Sequence, residues 1–405
     1  MKLKTITPKV YKLYNSYQHY DWGTKNKNAF IPMFIGDEVK KNLPYAELWI
    51  GAHPRLSSEI KIDGELVSLE KIIEEFPNEV LGKNVAKKFK NKLPFLLKLL
   101  SANRALSIQT HPDKKTAEAL HKKDPKNYAD NNHKPEIAIA IDRLNAIVGF
   151  KSYKEILKVL SRHKEFAKAV NYTKVSKVLS VEEQKQFVKN LYTDIMNFSN
   201  ETLEFVIKSI LRKIKKLNRR TKEEKEFLLQ YKNFGIDVGL ISILLFNYIE
   251  LKPEEAIFTG AGTPHAYLKG NIIECMANSD NVVRAGLTEK FKDVETLLSI
   301  LNYDSSNNKK MIPPSAKTKF TYHAPISEFK ISKNSFEKSK KQTKKNAGIK
   351  IILVTYGNLI VEWKEDSVVL SREFEQGEAI LIPAHLESYK LTNKIPTKFV
   401  MVEVP

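Results

Sequence analysis

Apolar and polar residues alternate in two rhythms along this chain. From Ala105 to Lys114 (Ala-Leu-Ser-Ile-Gln-Thr-His-Pro-Asp-Lys) the period is two. That predicts a strand with Leu106, Ile108 and Thr110 on one side and Ser107, Gln109 and His111 on the other. Pro112 ends it, because proline donates nothing to a ladder. The preceding apolar run, Leu93 to Leu100, reads as a buried strand carrying one charge, Lys98. A buried lysine is costly unless it is paired or faces a cavity; the alternative is that it snorkels to the edge. Residues 14–23 and 46–54 are strand-like, whereas 64–86 and 115–123 look helical. The segment Lys134-Pro-Glu-Ile-Ala-Ile-Ala-Ile is a strand with Glu136 at its mouth, and 142–150 is a further strand or turn.

The rhythm changes at Lys151. Leu203, Val206, Ile207, Ile210, Leu211, Ile214 and Leu217 follow helical i, i+3, i+4 spacing. Ser180 with Glu183 and Thr221 with Glu224 have the spacing of capping boxes, and glycine is absent from 151 to 234. These features predict a helical insertion of about eighty residues spliced into a β-rich chain. Strand texture resumes near Gly235. Residues 253–267 and 377–389 each run through Glu-Ala-Ile, two more extended residues, a Gly or Pro turn, His and Tyr. A strand feeding such a turn, with a histidine at its mouth, is what a cupin jelly-roll barrel presents.

The predicted fold is therefore mainly β with a helical insertion: double-cupin jelly-roll barrels plus an inserted α-helical domain. The catalytic cupin domain is discontinuous (1–150 and 235–310), the helical domain spans 151–234 and a cupin-like β domain spans 311–405. The second barrel reads as structural, because His385 has no Gln-x-His partner nearby. The cationic run 337–346 reads as a mobile hairpin loop.

Composition narrows the function. The chain has 405 residues, 42% hydrophobic and 28% charged, as ordinary globular proteins do. A single cysteine, Cys275, excludes an internal disulfide framework and fits a reducing compartment. No apolar h-region follows the cationic residues 1–9, and the longest apolar run, Leu240 to Ile249, is too short for a bilayer. A cytoplasmic location with no membrane partner is the expectation. Net charge is +20, and residues 151–234 hold half of that excess, with 20 Lys/Arg against 10 Asp/Glu. No aromatic residues are interleaved with it in the manner that stacks bases. The basic surface is read as solvated lysine, with no nucleic-acid partner.

Four separated positions share compatible chemistry: Gln109, His111, Glu136 and His265, each at a strand end or loop. Two imidazoles, a carboxylate and an amide oxygen suit a divalent ion such as zinc, with a position left for water or substrate oxygens. A glutamine ligand leaves the metal more positive than a second carboxylate would, which suits a Lewis acid facing an oxyanion. Further on, Asn278 to Asn281 forms a polar turn, and Arg284 is presented just before Gly286.

Ser-Ile-Gln-Thr-His-Pro-Asp-Lys (107–114), His-Lys-Pro-Glu (133–136), Gly-Thr-Pro-His-Ala-Tyr (262–267) and Asn-Ser-Asp-Asn-Val-Val-Arg-Ala-Gly-Leu-Thr (278–288) together resemble the type I phosphomannose isomerases. Tyr-Asp-Trp-Gly (20–23), Glu-Leu-Trp-Ile-Gly-Ala-His-Pro (47–54), Pro-Phe-Leu-Leu-Lys-Leu-Leu (94–100) and Pro-Ile-Ser-Glu-Phe (325–329) extend the resemblance over nearly the whole chain. It implies a monomeric enzyme with one zinc per chain. Its substrate would be a small sugar phosphate, mannose 6-phosphate interconverted with fructose 6-phosphate by proton transfer between C1 and C2 through a cis-enediol(ate). By motif, Gln109, His111, Glu136 and His265 match the zinc ligands and Arg284 the catalytic arginine. Ser107, Lys98, Lys134, Glu274, Asp280 and Lys290 match pocket residues. Glu274 and Lys134 are the candidate proton shuttles, and Lys98 and Ser107 the candidate phosphate donors. Glu289 departs from the family's proline before Lys290.

Overall fold

The structure, a computed structural model, describes residues 5–172, 179–304 and 309–405. Residues 1–4 of the cationic N-terminal stretch lie outside the described residues. An eleven-stranded antiparallel sheet forms the centre. Its main path runs Phe246–Leu251, Leu144–Phe150, His265–Ala277, Phe95–Ala102, Glu47–His53 and Ser16–Gln18. The thirteen-residue strand His265–Ala277 organises it. Its first half pairs with Leu144–Phe150 and Ile108–Thr110, and its second half with Phe95–Ala102 and Glu136–Ala140. The change of partners falls at Gly270, where φ is +136° and a Cβ would lie 2.5 Å from the Arg143 carbonyl oxygen. Only glycine fits that turn. Beneath it Leu100, Ala138, Ala146, Ile257 and Ile272 pack into a small core with Tyr267.

The insertion is helical as expected. Ser180 with Glu183 and Thr221 with Glu224 form reciprocal capping boxes that open the Val181–Met196 and Lys222–Phe234 helices. Val206, Ile207, Ile210, Leu211 and Ile214 are buried along Asn200–Lys216. Their core is continuous with the sheet through Ile147 and Phe150 and through the fully buried helix Gly239–Leu245.

One buried polar group in this region has a consequence for stability. His163 is 3% exposed, and burial lowers its pKa to about 4; Lys213 and Arg162 add to that, against the pull of Glu224. A histidine depressed in the folded state binds fewer protons there than when unfolded. Its contribution is fully retained above about 6.5 and lost as pH falls from there towards 4. Between pH 7 and pH 5 the unfolding temperature of the wild type is expected to fall by several degrees more than that of His163→Gln. Equal falls in a calorimetric comparison would show that His163 carries no such load.

The C-terminal part holds a six-stranded and a four-stranded sheet. Tyr11–Leu13 pairs with Ala379–Ile382, Tyr11 opposite Leu381 and Leu13 opposite Ala379, so the first strand completes the C-terminal sheet instead of staying with residues 14–150. The back of the central sheet (Ile137, Ile273, Cys275) shares one core with Ile351, Leu353 and Leu381. Helices and strands occur in comparable share, so the fold is mixed, with more helix than a mainly β reading allows. The cationic run is also ordered. Lys341–Lys345 is an edge strand paired with Ser388–Thr392, with Lys341, Thr343 and Lys345 in solvent, and such charged ends blunt an open edge. The ring nitrogens of His385 lie 2.8 and 3.0 Å from the main-chain oxygens of Glu79 and Ile6, a structural setting. Among the described residues no helix is long and apolar enough to cross a membrane.

Candidate active site

His111 follows directly on the short strand Ile108–Thr110, Glu136 opens its strand and His265 opens the long one. Gln109 sits between two neighbours in register, with His265 opposite it on one side and Arg284 on the other. The Nε2 of His111 is 3.5 Å from Glu136 Oε1, and that of His265 is 3.2 Å from Glu136 Oε2. One ligand atom from each of the three lies within 4.8 Å of the others, and all three residues are about 1% exposed. The Nδ1 of His111 is 2.7 Å from the Asn281 carbonyl oxygen, and that of His265 is 2.9 Å from Thr263 O. These contacts fix Nδ1 as the donor in each ring and leave Nε2 as a lone pair facing Glu136. Both Nε2 atoms and Glu136 Oε2 are buried without a hydrogen-bond partner. Three converging acceptors with nothing to accept from are costly, and a divalent cation resolves all three at once. Burial keeps His111 neutral, lowering its pKa to about 4. Burial opposes ionisation of Glu136, but the Lys134 ammonium 3.0 Å away leads the interactions that hold the carboxyl well below the usual range.

The His111 carbonyl contact has support of its own. Asp130 accepts from Ser279 Oγ (2.8 Å), the Asp280 main-chain N–H (2.7 Å) and Asn281 Nδ2 (3.2 Å). It therefore holds the loop whose carbonyl orients His111. Asp130→Ala is expected to weaken metal retention by about tenfold. Competition against a chelator measures this, and an unchanged midpoint would detach Asp130 from the site.

A cavity of about 630 Å³ opens beside these residues. Ser107, Gln109, Lys134, Glu136 and Arg284 line it, with Lys98 and Glu274 on the neighbouring strands. Trp49, Lys98 and Glu274 are side by side across three strands. Lys98 is 5% exposed, and its ammonium lies 3.4 Å from Glu47, 3.6 Å from Glu274 and over the Trp49 ring. It is paired, and it faces a cavity. Trp49 Nε1 donates to Glu47 at 2.6 Å and fixes that carboxylate. Burial raises the Glu274 pKa to about 7; Glu136 adds to this, while Lys98 and Lys134 oppose it. Lys134 is 3.0 Å from Glu136, and Asp280 is 3.1 Å from Arg55. Three cations on the lining remain without a carboxylate among the described residues: Arg104, Arg284 and Lys290. Arg284 is half-buried, and its pKa is lowered by that burial alone.

All eleven residues singled out from the sequence thus border the cavity or the metal cluster. Leu106, expected to face away, also lines the cavity. Regular alternation begins only at Ile108: Leu106 lies before the strand with its N–H on the Tyr267 carbonyl, and the ladder shifts register between Ile108 and Gln109. Sequence reading gave no role to Glu47, Arg55 or Asp130, nor to Asn233 and Phe234, which bring the helical insertion to the cavity wall. Glu47 opens the quoted stretch 47–54 and Arg55 directly follows it, and that proximity was the available signal.

Residues 10–153 match the family description phosphomannose isomerase type I, catalytic domain. Mannose-6-phosphate isomerase of Saccharomyces cerevisiae is 36% identical over 94% of this chain and 95% of its own length. A probable mannose-6-phosphate isomerase of Echinococcus multilocularis is 40% identical over 79% of the chain and 80% of its own. A mutant phosphomannose isomerase from Salmonella typhimurium superposes with a TM-score of 0.85 at 28% identity, covering 98% of this chain and 99% of that one. A mannose 6-phosphate isomerase structure bound with zinc and yttrium gives 0.84 at 28% identity, with coverage of 98% and 99%.

Proposed function

The chain belongs to the type I mannose-6-phosphate isomerases, and from that membership we propose a zinc-dependent enzyme that interconverts mannose 6-phosphate and fructose 6-phosphate. The observation that carries the reading is the buried triad of unsatisfied acceptors at the end of a cavity that also presents three unpaired cations. His111, Glu136 and His265, with Gln109 beside them, would hold one zinc. Zinc there supplies Lewis-acid polarisation of the sugar's reacting oxygens.

The protein's own groups do the rest. The substrate's phosphate dianion needs cations that are not already neutralised. Lys290 and Arg104, with the Ser107 hydroxyl, fit that need. Lys98, committed to Glu47 and Glu274, meets the sugar as a hydrogen-bond donor, and Asp280 braces the rim through Arg55. Arg284 faces the charge that develops as a proton leaves C2, and it stays cationic throughout. Glu274 moves that proton between C2 and C1, since a carboxyl near pH 7 both accepts and returns it. Lys134 holds Glu136 in its ionised form. The cis-enediol(ate) between the two sugars follows from transfer by one group on one face.

The same reading makes the central sheet and the C-terminal sheets two cupin barrels, with 151–234 as the inserted helical domain. A cytoplasmic monomer agrees with the one cysteine being buried and unpaired. A coupled assay of fructose 6-phosphate formation, run in D2O, tests the proposal. Turnover with solvent deuterium appearing at C1 supports it; absence of turnover in zinc-replete protein overturns it.

A further inference from the structure

The segment that returns from the helical insertion to the sheet packs against the strand that bears Arg284 and makes a side-chain hydrogen bond just beyond its end. Asp237, 9% exposed, accepts two main-chain hydrogen bonds on a single carboxylate oxygen. One comes from Gly239 N at 2.7 Å, the other from Leu287 N at 2.6 Å. Leu287 directly follows the strand Val283–Gly286, is 2% exposed and has a left-handed backbone with φ +52°. The two backbones also touch. A Cβ on Gly286 would lie 2.6 Å from Gly239 Cα, and one on Gly239 would lie 2.7 Å from Leu287 N. Beyond Leu287 the chain passes along the cavity rim at Thr288, Glu289 and Lys290.

A left-handed leucine is strained and persists only where its surroundings impose it. Here the imposing group is Asp237. It anchors the residue three positions after Arg284, just beyond the end of the ladder with Ile108–Thr110. Arg284 itself has no side-chain partner among the described residues to aim it. Its direction is set by the strand beneath it, and that strand is held by Gln109 on one side and by the Asp237 contact at its end.

We infer that Asp237 is a positioning residue for Arg284, through which the segment just after the helical insertion sets the direction of that side chain. The inference rests on the role given to Arg284 above. Without the carboxylate, two buried N–H groups lose their acceptor and the strand end is free to leave its left-handed turn. Arg284 then spends less time where charge develops. The loss falls on kcat, while the metal ligands, on other strands, keep their zinc.

The test is a double-mutant cycle reading kcat, KM and zinc content. In the wild-type background Asp237→Ala is expected to lower kcat at least about twentyfold with zinc unchanged, and Asp237→Asn, which retains an acceptor oxygen, about threefold. In an Arg284→Ala background both losses should shrink to less than about twofold. Losses that persist in full in that background, or no change in kcat for either variant, would overturn the inference. Should Asp237→Ala not fold, Asp237→Asn carries the cycle alone. If Arg284→Ala by itself retains the wild-type rate, it is the proposed role of Arg284 that fails.

Discussion

Removal of the metal with a chelator is expected to lower isomerase activity by at least about 10³-fold, and stoichiometric zinc is expected to restore it. The expectation comes from the three acceptors of His111, Glu136 and His265, which are buried, converge within 4.8 Å and satisfy nothing else. Their tautomers are fixed from behind by the Asn281 and Thr263 carbonyls, so the rings cannot turn to find other donors. Because the ion binds only the folded chain, the metal-free protein should also unfold several degrees lower. Elemental analysis beside the coupled assay checks both. Full activity in protein free of zinc would remove the site as described.

Arg284→Ala is expected to lower kcat by about 10²–10³-fold with zinc content and unfolding temperature near those of the wild type. Few half-buried guanidiniums lack a carboxylate, and burial alone acts on this one. A charge in partly desolvated surroundings acts more strongly on a developing oxyanion than it would in water. Arg284→Lys should recover only part of the rate, because an ammonium cannot present the planar fork. A kcat within twofold of wild type in the alanine variant, by steady-state assay, would assign the arginine elsewhere.

Some of this was legible in the residues alone. The stripe from Leu203 to Leu217 and the two Ser/Thr-x-x-Glu signals describe local physics, and the helices formed where they said. Gln109 and His111 were found because a period of two is a local rule, and Leu106 was misplaced because the strand starts two residues later than its pattern. The pairing of Tyr11–Leu13 with Ala379–Ile382 could not be read in this way, since nothing in three residues names a partner at the far end of the chain. Lys341–Lys345 was misread for a related reason: lysines that protect an edge strand have the composition of a loop. Asp237 escaped notice because what it holds is main chain, which leaves no mark on the identity of the residue held, and Asp130 because its partners Ser279, Asp280 and Asn281 lie far along the sequence.

The long strand His265–Ala277 also sets an order in time. As the chain is made from its N-terminus, Gln109, His111 and Glu136 emerge before the helical insertion, and His265 only after it. At ribosomal rates of about 5–20 residues per second, the first three of these proposed metal-site residues wait on the order of ten seconds for the fourth. During that interval Glu136–Ala140 and Phe95–Ala102 both lack the strand that lies between them. The helical insertion, with a core stripe and caps of its own, has what it needs to fold in the meantime. On the proposed reading, capture of a metal would thus be a late event in the birth of this protein, possible only once residue 277 and the Asn281 carbonyl that orients His111 have left the ribosome.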